Sequence, residues 1–425
     1  MNVVSNRKNE FLPSELRGLL RENGVSARTG IRAINMLKSR EGYLYAGCPN
    51  FMELFGRDSL ISALELLESD PRIARHTLLK LGELQGRKED LATGERPGKI
   101  IHEFVPKECL AIPEVDEKVD RIGWLKPEIP LYFSVDSTPL FLMVFAEYYR
   151  KTGDTRLLAS MWKNLKNAAR FITENMEAHA GSSYEVGFLS YEKPLDGNGL
   201  MSQSWKDGIG SLLDSAKAPV AVVEVQGYAF AALLAASSMG RVLGEYDFSD
   251  ALVRKAYLLK ERFLREFWSD KTGYFSLAVD GNGSRINEIT SNPGHLLFTG
   301  ILDPVRKKAV AGRLLEDDML TKYGIRTHSA LSAHFDPFEY QLGSVWPHDN
   351  FVIAKGMEEM GGEYAKMALE IGKRISSGIE AQGSFVEYYG VERDGGIIPA
   401  ERMKVGPAEI QAWSAGAYLY FQKGR

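Results

Sequence analysis

Residues 55–84 read FGRDSLISALELLESDPRIARHTLLKLGEL and contain two helical segments of different kinds. The second segment, from Pro71 to Leu84, is amphipathic, with apolar residues at three- and four-residue steps. The first segment begins at the charged pair Arg57-Asp58 and is apolar nearly all round, as a helix buried on both sides must be. The stretch therefore predicts an inner helix followed by an outer helix.

The same alternation recurs along the rest of the chain. Further inner helices are predicted near Asp136, Gln226, Pro293, Pro347 and Pro407. Further amphipathic helices are predicted over 29–39, 155–176, 249–268, 304–316 and 363–376. Six helices of each kind predict an all-α (α/α)6 barrel, with residues 1–425 as a single domain, a small β-hairpin over 274–289 that turns at 280–283, and long loops at the candidate site.

The order of the helices has a geometric consequence for the polar residues. Because each outer helix returns the chain, all the inner helices run parallel and their N-termini open on one face of the barrel. The helix dipoles direct their positive ends to that face, which favours ionised carboxylates. Polar clusters that are far apart in the sequence, such as Arg57-Asp58 and Trp346–Asp349, are therefore expected to converge there.

The composition excludes several classes of protein. The 425 residues are 44% hydrophobic and 25% charged with a net charge of −4, which is typical of a globular protein and gives no nucleic-acid or membrane-binding footprint. The chain has two cysteines, which fits a reducing compartment. Its first residues, MNVVSNRKNEFLPSEL, have no apolar core, so the sequence predicts a cytoplasmic protein without a signal peptide. No nucleotide-binding glycine motif is present, so no cofactor is predicted. His102-Glu103 resembles a metal-binding pair, but without HExxH or a His/Cys cluster no metal site is predicted.

Three aspartates stand at the predicted helix starts. Asp58, Asp136 and Asp349 can each be explained as N-caps or first-turn charges, which stabilise a helix by about 1 kcal/mol. Capping does not require their neighbours, which include an arginine before Asp58 and both Trp346 and His348 beside Asp349. These neighbours favour a functional site over capping alone.

One further acid lies in a glycine-rich stretch before the third inner helix. GLMSQSWKDGIGSLLDS, residues 199–215, contains Trp205 and Asp207. A solvated loop is the alternative, but such a loop would expose a large aromatic ring to water. The stretch therefore predicts a candidate acid held beside a tryptophan.

Another acid precedes the last inner helix. GSFVEYYGVERDGGIIPAE, residues 383–401, contains Glu387 followed by two tyrosines, and the alternative is a short strand with an exposed glutamate. Glu409 is a competing acid, but capping in the first turn of the helix from Pro407 explains it. Glu387 is the preferred candidate.

Together these blocks resemble the barrel of bacterial and archaeal amylo-α-1,6-glucosidases, the glycogen-debranching-enzyme family. The blocks lie in family order between Gly42 and Ala417, and they are FGRDSLISALELL, IIHEF, YFSVDSTPLF, QSWKDGIGS, VEVQGYAFAAL, TSNPGHLLFTGI, YGIRT, GSVWPHDN and QAWSAGA. The family fold is an (α/α)6 barrel, which agrees with the helix count. The resemblance implies an inverting α-glycoside hydrolase that releases a terminal hexose and needs no cofactor.

The resemblance also implies roles for individual residues. Asp207, in SWKD, matches the general acid, and Glu387, in VEY, matches the general base, although a valine and a tyrosine flank it where the family has proline and leucine. The substrate-binding candidates in the matching blocks are Arg57, Asp58, His102, Glu103, Asp136, Trp205, Lys206, Gln226, Tyr228, Trp346, His348, Asp349 and Trp413. Among them, Arg57 and Asp58 match the pair that grips hydroxyls of the terminal sugar.

Inverting hydrolysis needs one protonated carboxyl to donate to the leaving oxygen and one ionised carboxyl to activate water. Desolvation beside Trp205 is expected to raise the pKa of Asp207, and hydrogen bonds near the two tyrosines are expected to keep Glu387 ionised. The two acids precede the third and sixth inner helices, which are opposite in a ring of six. They are therefore expected to face each other across one cavity.

Several alternatives remain open from the sequence. Barrels of this length also resemble hydrolases of small glycosides such as glucosylglycerate or mannosylglycerate. A sugar epimerase would work with pocket histidines, for which the candidates are His102, His295 and His348. A non-catalytic sugar-binding protein would keep the cavity without a working acid pair. The expected partner is an oligosaccharide or a small glycoside.

Overall fold

The computed structural model describes residue 18 and residues 20–181, 185–194, 197–208 and 210–422 of the chain. Within these ranges the chain is mostly helical, with 3₁₀ helices at Lys107–Ala111, Asn292–Leu296 and Ala400–Arg402. From residue 27 onward, the α-helices are α1 (Ala27–Met36), α2 (Gly56–Leu66), α3 (Pro71–Glu83), α4 (Pro113–Arg121), α5 (Ser137–Thr152), α6 (Thr155–Ala178), α7 (Val223–Val242), α8 (Tyr246–Glu266), α9 (Pro304–Leu314), α10 (Pro347–Met360), α11 (Gly362–Gln382) and α12 (Ala412–Gln422). The segment 1–16, which the sequence predicts to carry no signal peptide, lies outside the described residues, and the assignment of 1–425 to one domain stays a prediction.

The strands are short and all their pairings are antiparallel. They are β1 (Gly47–Cys48), β2 (Leu54–Phe55), β3 (Glu103–Phe104), β4 (Ala221–Val222), β5 (Trp268–Ser269), β6 (Tyr274–Phe275), β7 (Ala278–Val279), β8 (Arg285–Ile286), β9 (Leu320–Thr321), β10 (Gly324–Ile325), β11 (Gly390–Val391), β12 (Ile397–Ile398) and β13 (Ile410–Gln411). The pairs are β1 with β13, β2 with β3, β5 with β6, β9 with β10 and β11 with β12, while β4, β7 and β8 form one sheet. Because β2, β4 and β13 run directly into α2, α7 and α12, their pairing fixes where those helices begin.

The predicted hairpin is present between β7 and β8. Its turn is held by Asp280, whose Oδ1 accepts the backbone N–H groups of Asn282 and Ser284, each at 2.9 Å. The first predicted residues of the hairpin, Tyr274–Phe275, pair instead with β5. The hairpin is therefore shorter than the alternation of the sequence suggests.

The amphipathic helices begin close to their predicted starts, but the inner helix predicted near Pro293 is wrong. That segment forms one short 3₁₀ helix, Asn292–Leu296. Pro293 and Gly294 occupy its first turn, and Gly300 follows at a φ of 77°, a left-handed conformation that no α-helix continues through. Apolar character alone did not distinguish this turn from a longer buried helix.

Five α-helices and this 3₁₀ helix form a closed set of contacts, which we call the inner circuit. Around it, α2 packs on α5, α5 on α7, α7 on the 3₁₀ helix Asn292–Leu296, that helix on α10, α10 on α12, and α12 on α2. Six of the other helices pack against the circuit: α1 on α12, α3 on α2 and α5, α6 on α5 and α7, α8 on α7, α9 on the 3₁₀ helix, and α11 on α10 and α12. The chain thus has the two kinds of helix that the sequence predicts.

Burial distinguishes the two kinds of helix. In α2 every residue except Leu64 is buried, whereas α8 buries a stripe that includes Leu252, Leu259 and Phe263. Close approach within the circuit depends on glycine. A Cβ at Gly356 of α10 would lie 2.4 Å from Leu297 Cβ and 3.0 Å from backbone atoms of the segment after the 3₁₀ helix. Only a residue without a side chain lets α10 reach this segment.

We expect Gly356→Ala to destabilise the fold. The added methyl group gains helix propensity of about 1 kcal/mol but must displace backbone atoms, and overpacking of this kind costs about 1–3 kcal/mol. The matched control is Gly312→Ala in α9, where a Cβ would meet nothing within 4 Å and the propensity gain should appear alone. Urea unfolding followed by circular dichroism measures both variants, and equal stabilisation of the two would contradict the packing argument.

Candidate active site

A cavity of about 780 Å³ opens where α2, α10 and α12 begin. Its wall contains Arg57 and Asp58 from the first turn of α2, Trp346 from the start of α10, and Trp413 from α12. The loop acids Asp207 and Glu387 line the same wall. Elements distant in sequence therefore meet at one cavity, as the parallel inner helices predict.

Side-chain capping occurs at four of the outer helices, although not at the outer helices α8 and α11. The outer helices α1, α3, α6 and α9 begin at capping side chains, namely Ser26, Asp70, Asp154 and Asp303. No side chain caps α2, α5, α7 or α10. Asp58 and Asp349 lie in the first turns of α2 and α10, as the alternative of first-turn charges allowed, whereas Asp136 stands at the N-cap position of α5 without a capping hydrogen bond. The carboxyls of all three bind other side chains.

Arg57 joins two of the acids. Its Nη1 donates to Asp136 Oδ1 and Oδ2 at 3.2 and 3.0 Å, and its Nη2 donates to Asp207 Oδ2 at 2.5 Å. Asp136 has no exposed surface and also accepts from Ser134 Oγ at 2.6 Å. Burial alone would lower the pKa of Arg57, but the two aspartates raise it above its usual value. Asp136 therefore orients Arg57 from behind the cavity wall, and Arg57 reaches Asp207 in the wall.

Asp207 is partly open to the cavity, with 17% of its side chain exposed. Burial raises its pKa, the ion pair with Arg57 opposes that rise, and the charge of Asp136 adds to it. The raised pKa agrees with the prediction from the sequence. Trp205, which is 2% exposed, is buried beside it, so the stretch is not the solvated loop that was the alternative.

Glu387 is 4% exposed and is held by two donors. The Tyr340 hydroxyl donates to its Oε1 at 2.8 Å and the Ala408 N–H to its Oε2 at 3.0 Å. Burial nevertheless raises its pKa to about 7, with both hydrogen bonds opposing the rise. The expectation that hydrogen bonds dominate at Glu387 is therefore wrong, because burial has the larger effect.

The tyrosines next to Glu387 in sequence do not bind its carboxyl. The hydroxyl of Tyr388 donates to the Val405 carbonyl, and that of Tyr389 donates to the Tyr323 carbonyl. Tyr388 points away from the carboxyl because consecutive residues of an extended segment point to opposite sides, whereas Tyr389 is engaged by its hydrogen bond to the Tyr323 carbonyl. The tyrosine that does bind, Tyr340, lies far away in the sequence.

Glu409 does not share this position. It is exposed, lies just before β13 rather than in the first turn of α12, and is absent from the cavity wall, while its backbone N–H donates to the Cys48 carbonyl. Between the two acids, the geometry favours Glu387.

Asp58 completes a group of three carboxyls. Its Oδ1 accepts from Gln411 Nε2 at 3.1 Å. Burial raises its pKa to about 7, Arg57 opposes the rise, and the charges of Glu387 and Asp207 add to it. The cavity therefore favours the binding of protons, because burial raises the pKa of all three acids, while Arg57 opposes the rise at Asp58 and Asp207 and Lys118 opposes it at Glu387.

Four indole rings line the cavity, those of Trp124, Trp205, Trp346 and Trp413. Trp346 makes edge contacts with Trp205 and Trp413, at centroid distances of 5.8 and 6.0 Å. Behind them His348 stacks on Trp413 at 3.9 Å and meets Trp205 edge-on at 5.1 Å. Burial lowers the pKa of His348 well below its usual value. The rings give the cavity flat apolar walls of the kind that sugar faces pack against.

Several buried polar atoms at the wall have no protein partner among the described residues. They are the Nε1 atoms of Trp205 and Trp413, Nε of Arg57 and Oε1 of Gln411. Buried polar groups are normally hydrogen-bonded, and leaving one unpaired costs about 1–3 kcal/mol. Their convergence on one cavity indicates a polar ligand with both donors and acceptors.

His102 and Glu103 lie in the wall as predicted. The ring of His102 meets Phe55 edge-on at 5.4 Å, and burial lowers its pKa well below the usual value. Glu103 and Glu53 both bind the buried ammonium of Lys118 from α4. Glu103 therefore fixes α4 to the cavity wall through its ion pair with Lys118. This ion pair explains the buried position of Glu103 without a metal.

Several predicted residues lie outside the wall, and these are Asp136, Lys206, Gln226, Tyr228, His348 and Asp349. Gln226 bonds the backbone N–H and carbonyl of Leu189, at 3.0 and 2.8 Å, and thereby holds the segment before α7. Lys206 donates to the Thr327 carbonyl at 2.6 Å. These side chains support the site from behind, and direct contact with a ligand stays a prediction for them.

Sequence reasoning did not single out Tyr340, Gln411 or Arg121. Tyr340 stands three residues before the block GSVWPHDN, and Gln411 opens the block QAWSAGA, so their proximity to named motifs was the available signal. Arg121 ends α4, in a stretch that carries no motif. Its place in the wall depends on how α4 folds back over the cavity.

Two general features of the described residues bear on partners. No helix among them combines the length and apolar character that crossing a bilayer requires. Within the same part of the chain, no group of three His, Cys, Asp or Glu side chains has the arrangement of a metal site.

Comparison with solved structures shows a shared fold. The GH63 mannosylglycerate hydrolase from Thermus thermophilus in complex with Tris and D-glycerate is 16% identical, with a TM-score of 0.69 over 93% of this chain and 100% of that chain. The same hydrolase in complex with glucose is 16% identical, with a TM-score of 0.65 over 94% and 100%. An uncharacterized conserved protein from that organism is 15% identical, with a TM-score of 0.68 over 93% and 100%. None of the curated proteins matches this chain.

The family comparison refines the resemblance drawn from the motifs. Residues 56–398 match the mannosylglycerate hydrolase MGH1-like glycoside hydrolase domain. This is a glycoside hydrolase family, as the motifs imply, but not the amylo-α-1,6-glucosidase family that they resemble. The match includes both loop acids and the starts of α2 and α10. The chain belongs to the MGH1-like glycoside hydrolase domain family.

Proposed function

We propose that this protein is an inverting hydrolase of a small hexosyl glycoside, with Asp207 as general acid and Glu387 as general base. The observation that carries the proposal is that both carboxyls line one cavity whose wall also holds four indole rings and unpaired buried polar atoms. A cavity of about 780 Å³ falls within the range of small-molecule sites.

In this proposal the inner circuit is the inner ring of an (α/α)6 barrel. The closed sequence of contacts from α2 round to α12 supports it, with the 3₁₀ helix Asn292–Leu296 as a shortened fourth member. In such a ring the loops that precede the third and sixth members lie opposite each other. Asp207 and Glu387 belong to these two loops.

The reaction needs a proton on Asp207 and none on Glu387. Asp207 donates its proton to the glycosidic oxygen, while Glu387 takes a proton from a water that attacks the anomeric carbon from the opposite face. Burial and Asp136 favour the proton on Asp207, and Arg57 stabilises the carboxylate that remains after donation. Tyr340 and the Ala408 N–H favour ionised Glu387.

A sugar epimerase finds less support in the geometry. Of its three candidate histidines, only His102 lies in the cavity wall. Both ring nitrogens of His295 are engaged by protein side chains, and His348 lies behind the indoles. The groups that face the cavity are carboxyls, which suit hydrolysis.

We propose a glycerate glycoside, mannosylglycerate or glucosylglycerate, rather than an α-1,6-linked oligosaccharide. The family name and the hydrolase of similar fold support this choice. Arg121 supports it independently. The other cations of the wall are neutralised, Arg57 by two aspartates and Lys118 by two glutamates, whereas no carboxylate pairs with Arg121 among the described residues.

Asp207→Asn should lower kcat for a hexosylglycerate by about 10²–10⁴-fold, because the amide has no proton for the leaving oxygen. It keeps the side-chain size and can still accept from Arg57. Glu387→Gln should act similarly, and Glu409→Gln, outside the wall, is the matched control. NMR of the first-formed sugar should show the inverted anomer. Normal turnover by Asp207→Asn would remove Asp207 from the mechanism, and sugar binding without any hydrolysis by the wild type would indicate a non-catalytic protein.

Tyr340→Phe should shift the low-pH limb of the kcat/KM profile to higher pH. The base must be ionised, so activity rises with pH through the Glu387 pKa, which lies at about 7. The Tyr340 hydrogen bond lowers that pKa, and its removal should raise it, moving the limb by about 0.5–1 pH unit. Tyr388→Phe, whose hydroxyl bonds Val405, is the matched control. An unmoved or lowered limb would contradict the assignment of Glu387 as the base.

Arg121→Gln should raise KM for a hexosylglycerate by about 10-fold or more, the effect of losing one charge-assisted hydrogen bond. The uncharged hexosylglycerol should be unaffected, because it offers no carboxylate. Lys126→Gln, an exposed cation of the same segment outside the wall, should change neither value. Equal effects of Arg121→Gln on both substrates would argue against recognition of a carboxylate, without touching the roles of the two acids.

A further inference from the structure

Three side chains form a buried relay behind the cavity wall. The Tyr228 hydroxyl lies 2.5 Å from His295 Nδ1, and His295 Nε2 lies 2.6 Å from Asp349 Oδ1. None of the three is more than 2% exposed. They come from α7, the 3₁₀ helix Asn292–Leu296 and α10, so the relay connects three successive members of the inner circuit.

For a neutral His295 ring, the partners indicate where the protons lie. A carboxylate only accepts hydrogen bonds, so His295 donates from Nε2 to Asp349. The Nδ1 atom then accepts from Tyr228, whose phenol keeps its proton because burial raises its pKa well above the usual value. Both ring edges are thereby engaged, and the plane of the imidazole is fixed by bonds on opposite sides.

The imidazole face supports the loop that carries Asp207. It stacks on Trp205 at a centroid distance of 5.7 Å and an angle of 8° between the planes. The backbone of the same loop is held at the Trp205 carbonyl, which accepts from Gln341 Nε2 at 2.6 Å. Trp205 is thus fixed both by its ring and by its backbone, two residues before Asp207.

We propose that Tyr228, His295 and Asp349 are positioning residues for the general acid. The relay fixes the imidazole plane, the plane fixes the Trp205 ring, and the ring sets the direction in which Asp207 enters the cavity. Proton donation to a glycosidic oxygen requires hydrogen-bond distance, so small changes in this direction reduce the contribution of the acid. This inference rests on the proposed role of Asp207.

The test uses the dependence of rate on the leaving group. A hexosylglycerate needs a proton from the acid, whereas a hexosyl fluoride or dinitrophenyl hexoside leaves with little help. Tyr228→Phe removes one hydroxyl and keeps the ring. We expect its kcat for the hexosylglycerate to fall by about 10-fold or more, a part of the 10²–10⁴-fold that general acid catalysis supplies, with less than about threefold loss on the activated substrates.

The matched control is Tyr148→Phe, a buried tyrosine at the end of α5 whose hydroxyl donates to Asp154 away from the cavity. Tyr148→Phe should leave kcat unchanged for both classes of substrate. His295→Gln provides a second variant, because it removes the imidazole ring that stacks on Trp205. Its loss of kcat should again be selective for the hexosylglycerate, and it should be larger than that of Tyr228→Phe. Circular dichroism verifies the fold of each variant.

Two outcomes would overturn the inference. An equal fall in kcat for the hexosylglycerate and for the activated substrates would make the relay a purely structural element. An unchanged kcat for both would show that the relay does not position the acid. Asp207→Asn distinguishes these outcomes from failure of the proposed function. If Asp207→Asn loses activity equally on both classes of substrate, or on neither, the assignment of Asp207 as the acid fails, whatever the relay variants show.

Discussion

The ion pairs of Arg57 hold the site together. One guanidinium bonds Asp136, 79 residues away, and Asp207, 150 residues away, and it is almost completely buried. A buried charge without its partner costs about 3–5 kcal/mol, so the start of α2, the start of α5 and the loop of Asp207 are coupled. Ser134 donates to Asp136, and because Nη1 of Arg57 alone bonds both oxygens of Asp136, Nη2 remains for the loop. The position of Asp207 is therefore set by the framework and not by its own loop alone.

The same arrangement explains the acid–base balance of the cavity. Asp58, Asp207 and Glu387 share one buried region with the cation Arg57, and burial raises the pKa of each. Mutual repulsion makes it costly for all three to ionise together. A site with too few counter-charges thus retains protons near neutral pH. Such a site suits a mechanism in which one carboxyl donates a proton and another accepts one.

The walls around these acids are built from pairs of rings. Three of the indoles that face the cavity are backed by a stacked aromatic group: Trp205 by His295, Trp346 by Tyr388 and Trp413 by His348. The fourth, Trp124, meets Phe133 edge-on. Stacked rings are stiff and apolar, so they exclude water and keep the acids desolvated. The polar edges that remain unpaired, such as Trp205 Nε1, are available to a ligand. The same indoles therefore make the wall rigid, through the rings stacked behind them, and polar, through their unpaired edges.

Local patterns in the sequence predicted much of this molecule. Periodicity indicated buried and half-buried helices in alternation, turn residues indicated the hairpin, and clusters around Asp58, Asp207 and Trp346 indicated where a site would form. These features depend on residues a few positions apart, and the sequence records such spacings directly. Motif resemblance added the class of enzyme, while the family within that class needed comparison with the whole domain.

Other features depended on the tertiary structure. Tyr340 reaches Glu387 across 47 residues and Gln411 reaches Asp58 across 353, distances over which no periodicity carries information. The direction of the Glu387 pKa shift followed from burial, which depends on what packs around the carboxyl and not on the tyrosines beside it in sequence. The 3₁₀ helix at Pro293 was misjudged for a related reason, since an apolar run shows that a segment is buried but not how far it continues as a helix. The sequence by itself determined which residues are candidates for the chemistry, and only packing between distant segments decided how their charges, partners and orientations combine.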